Sequence, residues 1–142
     1  MKILAYLLLL CSSVSSLAQS NSLDNCLIEG NDIKLTGQLG VQQFPGPPDY
    51  TSIAKGDKPE SYWILTTQHP YCGEGQDLTS GKSHRLDEKS QHFQLVLTPK
   101  QYEKHRNLLN KQIIVKGQMF IAHTAHHHTP MLIEVSSMEA AP

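Results

Sequence analysis

The chain has 142 residues, a formal net charge of −1, eight histidines and only 6% aromatic residues. This length fits one small domain, and the balanced charge lacks the basic face and interleaved aromatic residues that nucleic-acid binders usually carry. We therefore predict no nucleic acid among the partners, and the histidines are the compositional outlier.

Residues 1–18 are predicted to be a cleavable signal peptide. Lys2 supplies the short positive region, residues 3–10 form an apolar core, and Ala18 is the small residue before the cleavage site. The apolar run is shorter than the roughly 20 residues needed to cross a bilayer, so we predict no membrane span. The mature chain is expected to start at Gln19 and to be periplasmic or secreted.

Two cysteines remain after this cleavage, because Cys11 leaves with the signal peptide. An even pair in an exported domain favours a disulfide between Cys26 and Cys72, and two free buried thiols are the alternative. Lipidation of Cys11 is an alternative for the amino terminus. Lipoprotein sites, however, usually have a small residue directly before the cysteine, and this chain has Leu10 there.

The first half of the mature chain reads as strands around a long loop. Alternating apolar residues predict a strand pair or one bent strand over residues 26–39 and a second strand over 62–67. Between them lies the Pro-rich loop, residues 44–60, whose prolines and glycines exclude regular structure for most of its length. Residues 73–89 are polar and glycine-containing, and we predict a solvated connection there. A third strand is expected over residues 93–97.

The best-specified element is a helix from Pro99 to Leu109. Thr98 is a suitable N-cap, proline suits the first helical position, and Gln101 completes a capping box. Asn110 is a plausible left-handed terminator of this helix.

Two alternating segments, residues 113–121 and 131–135, are predicted to be antiparallel strands. They flank the His-rich loop, residues 122–130. The resulting order places one helix between strands three and four of five strands, which is the order of an OB-fold barrel. We therefore predict a mainly β, OB-fold-like five-stranded barrel as a single domain over residues 19–142. A small β-sandwich with one helix is the alternative.

Five motifs occur in order along this domain: Phe44-Pro-Gly-Pro-Pro-Asp-Tyr50, Gly56-Asp57, Tyr62-Trp-Ile-Leu65, Leu95-Val-Leu-Thr-Pro99 and His123-Thr-Ala-His-His-His-Thr-Pro130. Over roughly residues 26–135 the chain resembles the bacterial family catalogued as domain of unknown function four-four-three-one. The resemblance implies an exported bacterial protein. It implies no activity and no catalytic residue.

The His-rich loop is a candidate metal site. Neutral imidazoles are strong ligands for zinc, copper or nickel, and strand alternation favours His123, His126 and His128 as the converging set. The alternative is that the imidazoles bond neighbouring loops, stack on aromatic rings or are solvated. A divalent transition metal is thus the only cofactor that the residues suggest.

The Pro-rich loop is a second candidate, as a ligand surface. Phe44 and Tyr50 can present rings on a backbone stiffened by prolines, with Asp49 beside them and His127 on the facing loop. The structural alternative is that Phe44 plugs the end of the barrel. No nucleophile or metallohydrolase motif is present in the sequence, although His127 or His128 beside Asp49 would suit a hydrolytic site if the two loops meet.

These observations lead to one functional prediction with two alternatives. We predict a non-enzymatic exported binding module that recognises a protein, peptide or envelope ligand through the rim made by the Pro-rich and His-rich loops. A periplasmic metal-binding protein is the first alternative, and a hydrolase is a weaker one.

Overall fold

The computed structural model describes residues 26–142, so the predicted signal peptide and its cleavage site lie outside the described residues. These residues form eight strands and one α-helix. In chain order they are β1 (Leu27–Ile28), β2 (Asp32–Pro45), β3 (Pro59–Tyr71), β4 (Gly73–Gln76), β5 (Ser83–Arg85), β6 (Ser90–Val96), α1 (Pro99–Lys104), β7 (Gln112–Ile121) and β8 (Met131–Ala140). Single 3-10 turns cover Ile53–Lys55 and Arg106–Leu108.

Five of the strands close into a barrel with the order β2-β3-β6-β8-β7. β2 pairs antiparallel with both β3 and β7, which closes the barrel, and β6 pairs parallel with β8. The helix lies between the third and fourth barrel strands, so the OB-fold-like prediction is confirmed. The antiparallel pairing of the last two strands is confirmed as well, with Ile121 opposite Met131.

The barrel interior is filled by the alternating apolar residues that the sequence pattern singled out. Phe93, Leu65 and Met119 are among the fully buried side chains of this core. Gly37 sits where β2 pairs on both edges at once, and a Cβ atom there would collide with the Thr66 carbonyl oxygen. A residue without a side chain therefore lets the strand bend at this point of closure.

The helix begins as predicted and ends earlier. Thr98 and Gln101 form the reciprocal capping box, and Asn110 has a φ of 62°, as expected of a left-handed terminator. α1 stops at Lys104, however, and the chain continues as a 3-10 turn. This turn places Leu108 in the barrel core, so tertiary packing ends the regular helix before Leu109.

A second, three-stranded sheet has the order β1-β4-β5, and two of its strands lie in the region predicted to be a solvated connection. That prediction is wrong, because residues 73–89 include both β4 and β5. The carboxylate of Glu29 accepts hydrogen bonds from the amides of Gln76 and Ile121 and so ties this sheet to β7. The predicted disulfide between Cys26 and Cys72 is confirmed and joins the residue before β1 to the residue before β4.

Candidate functional site

The Pro-rich and His-rich loops meet at one end of the barrel, next to the outer face of β3 and β6. The Pro-rich loop is shorter than predicted, because β2 runs on through Pro45, which pairs with Pro59. The extended pairing sets Phe44 directly opposite Glu60, and Tyr62 follows two residues along β3. These three side chains form the base of the site.

Asp57 fastens the Pro-rich loop from within. Its carboxylate accepts the backbone amides of Asp49 at 3.0 Å and of Thr51 and Ser52 at 2.7 Å each, and the residue is only 6% exposed. The hydrogen bonds from Ser52 and Asp49 hold the pKa of Asp57 below its ordinary value. The chain then turns through Tyr50, whose φ of 57° is left-handed.

Gln94 fastens the His-rich loop in a comparable way. It belongs to β6, points away from the barrel core and is nevertheless only 3% exposed. Its Nε2 donates to the His126 carbonyl oxygen at 2.9 Å, and its Oε1 accepts the His128 amide at 2.8 Å. The backbone amide of Gln94 donates to Thr129 Oγ1 at 2.8 Å. The loop is therefore held against the outer face of β6.

The Glu60 carboxylate is the centre of the site. Its Oε2 accepts a hydrogen bond from the Tyr62 hydroxyl at 2.9 Å and lies 3.3 Å from His126 Nδ1 and 3.9 Å from His128 Nε2. Burial acts to raise the pKa of Glu60, but the hydrogen bonds from Tyr62 and His126 outweigh it and the pKa is lowered. Burial and the bond to Glu60 raise the pKa of Tyr62 to about 12. Glu60 is therefore ionised at neutral pH, whereas Tyr62 keeps its proton.

His126 connects the two loops. Its Nε2 lies 3.2 Å from the Tyr50 hydroxyl, and the two rings meet edge to face at a centroid distance of 5.1 Å. A neutral imidazole that donates a hydrogen bond from Nδ1 to Glu60 can accept a hydrogen bond from the Tyr50 hydroxyl at Nε2. Tyr50, His126 and Glu60 thus form a continuous hydrogen-bonded chain across the rim.

His128 is the buried member of the cluster. Its ring stacks on Phe44 at a centroid distance of 4.4 Å with 9° between the planes, and Tyr62 approaches it at 5.2 Å. Burial, as the largest cause, lowers the pKa of His128, so the ring is neutral at pH 7. Its Nε2 is buried and has no hydrogen-bond partner.

The remaining two imidazoles of the loop form a separate pair beside Phe120 of β7. His127 Nδ1 accepts the backbone amide of His123 at 3.0 Å, and His123 Nδ1 lies 3.0 Å from the carbonyl oxygen of Ile121. The Phe120 and His127 rings meet at 5.3 Å. Burial and the neighbouring His123 lower the pKa of His127. The pair lies on the β7 side of the loop, and His127 also lines the cleft next to His126.

The structure thus brings together only part of each predicted set. Of the predicted metal ligands, His126 and His128 flank Glu60, whereas His123 pairs with His127. Within residues 26–142, no three His, Cys, Asp or Glu side chains stand ready to hold a metal ion.

The predicted ligand surface is divided in the same way. Phe44 and Tyr50 lie at the rim, and Asp49 is exposed on the same loop. His127 pairs with His123, but it also lines the cleft beside His126 and Tyr62. Glu60, Tyr62 and Gln94 are not among the site residues predicted from the sequence. Their positions depend on strand register, and the alternating Glu60 and Tyr62 were the signal available in the sequence.

No helix in residues 26–142 combines the length and the apolar character needed to span a membrane. No curated protein matches this chain in sequence. Among solved structures, it is similar to the crystal structure of a small single-stranded DNA-binding protein from Streptomyces coelicolor. The two chains share 13% identity with a TM-score of 0.36, over 78% of this chain and 94% of the other.

This similarity corrects our prediction that nucleic acid is excluded as a partner. That prediction is wrong, because a chain described as binding single-stranded DNA is found among the structures similar to this one. It rested on the net charge and aromatic content of the whole chain, and neither quantity determines which groups a barrel presents on its binding face. The likeness does not itself assign a ligand to this chain.

A family match covers α1, β7 and most of β6 and β8. It overlaps the carboxyl-terminal part of the range of the predicted resemblance, extends a few residues beyond it, and includes Gln94 and the whole His-rich loop. Residues 92–139 of this chain match the family described as domain of unknown function (DUF4431).

Proposed function

We propose that the protein is exported and acts as a binding module for a protein, a peptide or another envelope ligand. The ligand is recognised at the rim where the Pro-rich and His-rich loops meet. One observation carries the proposal: the bond between Tyr50 and His126 joins these two loops beside the face of β3 and β6.

The position of the two loops in the fold supports this choice. They connect the first barrel strand to the second and the fourth to the fifth. In OB-folds these two connections, together with the face of the second and third strands, form the ligand-binding surface. The same loops carry the two sequence features that stand out from the rest of the chain, the prolines and the histidines.

The rim also has suitable chemistry for recognition. The side chain of His126 is 56% exposed, Tyr50 is half-buried, and Asp49 is exposed. A cleft of about 200 Å³ opens beside His126 and is lined in part by Tyr62 and Tyr102. Aromatic rings next to hydrogen-bonding groups are typical of recognition surfaces.

Both loops are held in place before any ligand arrives. Asp57 bonds three amides of one loop, and Gln94 bonds two backbone groups of the other. A surface that is ordered in advance loses less conformational entropy on binding, which favours affinity.

Crosslinking from within the rim tests ligand recognition. A photoreactive phenylalanine at position 49, carried by the exported protein in its bacterial host, should give a defined adduct on irradiation. The same group at position 116, an exposed site on β7 outside both loops, is the matched control. Purified cell wall, in a cosedimentation assay, is the probe for a ligand that is not a protein.

The expected result is an adduct or cosedimentation that depends on the rim. His126→Ala should remove it, and position 116 should give none. Equal adducts at both positions, or no capture in either assay, would reject the proposal. Binding of a single-stranded oligonucleotide that His126→Ala abolishes would assign another ligand class and would also contradict it.

Export is tested separately through the mass of the protein. The short apolar core at the amino terminus and the disulfide between Cys26 and Cys72 support it. The intact mass of the protein recovered from the envelope fraction should correspond to a chain that starts at Gln19 and has no free thiol. A lipid attached to Cys11, or an uncleaved chain in the cytoplasm, would contradict export in the proposed form.

A further inference from the structure

Two imidazole nitrogens approach one carboxylate oxygen at the rim. His126 Nδ1 lies 3.3 Å and His128 Nε2 lies 3.9 Å from Glu60 Oε2. Two histidines and one glutamate are a ligand set that zinc accepts in proteins. With bonds of about 2.0–2.1 Å, neighbouring ligand atoms of a tetrahedral zinc ion stand about 3.4 Å apart, close to the first of these two separations.

The buried nitrogen of His128 is the second observation. The side chain is only 9% exposed, and its Nε2 has no hydrogen-bond partner although it is out of contact with water. Buried polar atoms in proteins are almost always satisfied, so an exception that faces a carboxylate indicates a missing partner. A metal ion between Nε2 and Glu60 would satisfy both groups.

The surrounding residues hold these ligands as metal sites require. His128 is fixed by two contacts: its ring stacks on Phe44, and its backbone amide donates to Gln94 Oε1. The Tyr62 hydroxyl donates to Glu60. Once Nδ1 of His126 binds a metal, the ring proton resides on Nε2. The Nε2–H group can then donate a hydrogen bond to the Tyr50 oxygen. Such outer partners orient the ligands of metal sites.

We propose that Glu60, His126 and His128 form a binding site for a divalent transition metal ion, and that zinc fits it best. The three groups do not yet enclose a common point, because His128 Nε2 stands 3.9 Å from the carboxylate oxygen. Metal binding therefore requires the Glu60 side chain, which is 25% exposed, to shift toward His128. The site differs from the one predicted from sequence, since Glu60 takes the place of His123. It stands independently of the ligand proposed above.

Calorimetry with zinc chloride alone, on the untagged oxidised protein in metal-free buffer, tests the site. We expect one zinc ion per chain. Glu60→Gln and His126→Ala should each weaken binding by more than about 100-fold, because each removes a ligand, and Tyr50→Phe should weaken it about 10-fold through loss of an orienting partner. Circular dichroism establishes that each variant is folded, and these exposed or half-exposed positions avoid reliance on His128.

The double variant His123→Ala/His127→Ala is the matched control, because it removes two imidazoles of the same loop that do not face Glu60. Its zinc affinity should equal that of the wild type. X-ray absorption at the zinc edge should show two imidazole nitrogens in the bound complex. Absence of zinc-dependent heat in the wild type, unchanged affinity in Glu60→Gln, or loss of binding in the double variant would overturn the proposal.

Discussion

At the residue scale, two buried polar side chains determine where the rim stands. Asp57 gathers the amides of the Pro-rich loop, and Gln94 holds the backbone of the His-rich loop. Neither residue belongs to the apolar core, and both would be costly to bury without these partners. Their hydrogen bonds therefore convert two irregular connections into one defined surface.

The Asp57 interactions predict a pH dependence of the Pro-rich loop. Because the pKa of Asp57 in the folded protein lies below its ordinary value of 3.8, the loop is stabilised above that pH and loses this stabilisation as pH falls through the lowered pKa. The amide resonances of Thr51 and Ser52 should shift with a midpoint below pH 3.8 in an NMR titration. Asp57→Asn should abolish this step. A midpoint at or above 3.8 would show that the amides do not hold the carboxylate as described.

Replacement of Gln94 tests how the His-rich loop is attached. Gln94→Leu leaves the His126 carbonyl and the His128 amide without their partner, and each buried unsatisfied group costs about 1–3 kcal/mol. Urea unfolding should show a loss of at least about 1 kcal/mol. Gln38→Leu, at an exposed position of β2, should change stability by less than about 0.5 kcal/mol. Equal losses in the two variants would argue against a specific role for Gln94.

At the element scale, the helix shows how local chemistry and packing divide the control of structure. The capping box and the proline at the first position are local and lie where the sequence predicts them. The end of the helix depends on Leu108, whose side chain packs in the barrel core. Gln101 adds a tertiary contact, because its Nε2 donates to the Val135 carbonyl oxygen of β8 at 2.9 Å.

The cap itself is open to a direct test. Thr98→Ala removes the hydroxyl that accepts the Gln101 amide, and loss of an N-cap costs about 1 kcal/mol. The midpoint of urea unfolding should fall accordingly with an unchanged slope. Thr98→Ser keeps the hydroxyl and should lie close to the wild type. If serine and alanine are equally destabilising, the hydroxyl is not the stabilising group.

At the scale of the whole molecule, a closed barrel carries a small additional sheet that the disulfide secures. Cys26 and Cys72 are 46 residues apart in sequence, and the loop they close includes β1, β2 and β3. A crosslink over this length restricts the unfolded chain strongly. The bond therefore contributes to the stability of both the barrel and the small sheet.

Reduction of this disulfide should destabilise the protein substantially. The chain-entropy relation gives about 4 kcal/mol for a loop of this length, a large share of the stability of a small domain. Urea unfolding with and without a reductant measures the difference, and the Cys26→Ser/Cys72→Ser double variant should resemble the reduced protein. A reduced protein as stable as the oxidised one would contradict this expectation.

The sequence by itself determined the alternating strands, the helix start, the disulfide pair and the order of elements that specifies the barrel. These features depend on near neighbours along the chain or, for the cysteines, on parity. Side-chain alternation and capping have fixed periods and spacings, so they are visible without a structure.

Only the tertiary structure decided which residues form the rim. The register of β2 and β3 sets Phe44 opposite Glu60. The hydrogen bond from Gln94 to the His126 carbonyl oxygen holds His126 at the rim, whereas His123 lies on the other side of the loop. The strands β4 and β5 likewise lack an apolar pattern. β4 pairs with β1 from a distant part of the chain, and the disulfide and the Glu29 carboxylate add contacts between these segments. Contacts between residues far apart in sequence leave no periodic pattern, and for that reason the site emerged only from the folded chain.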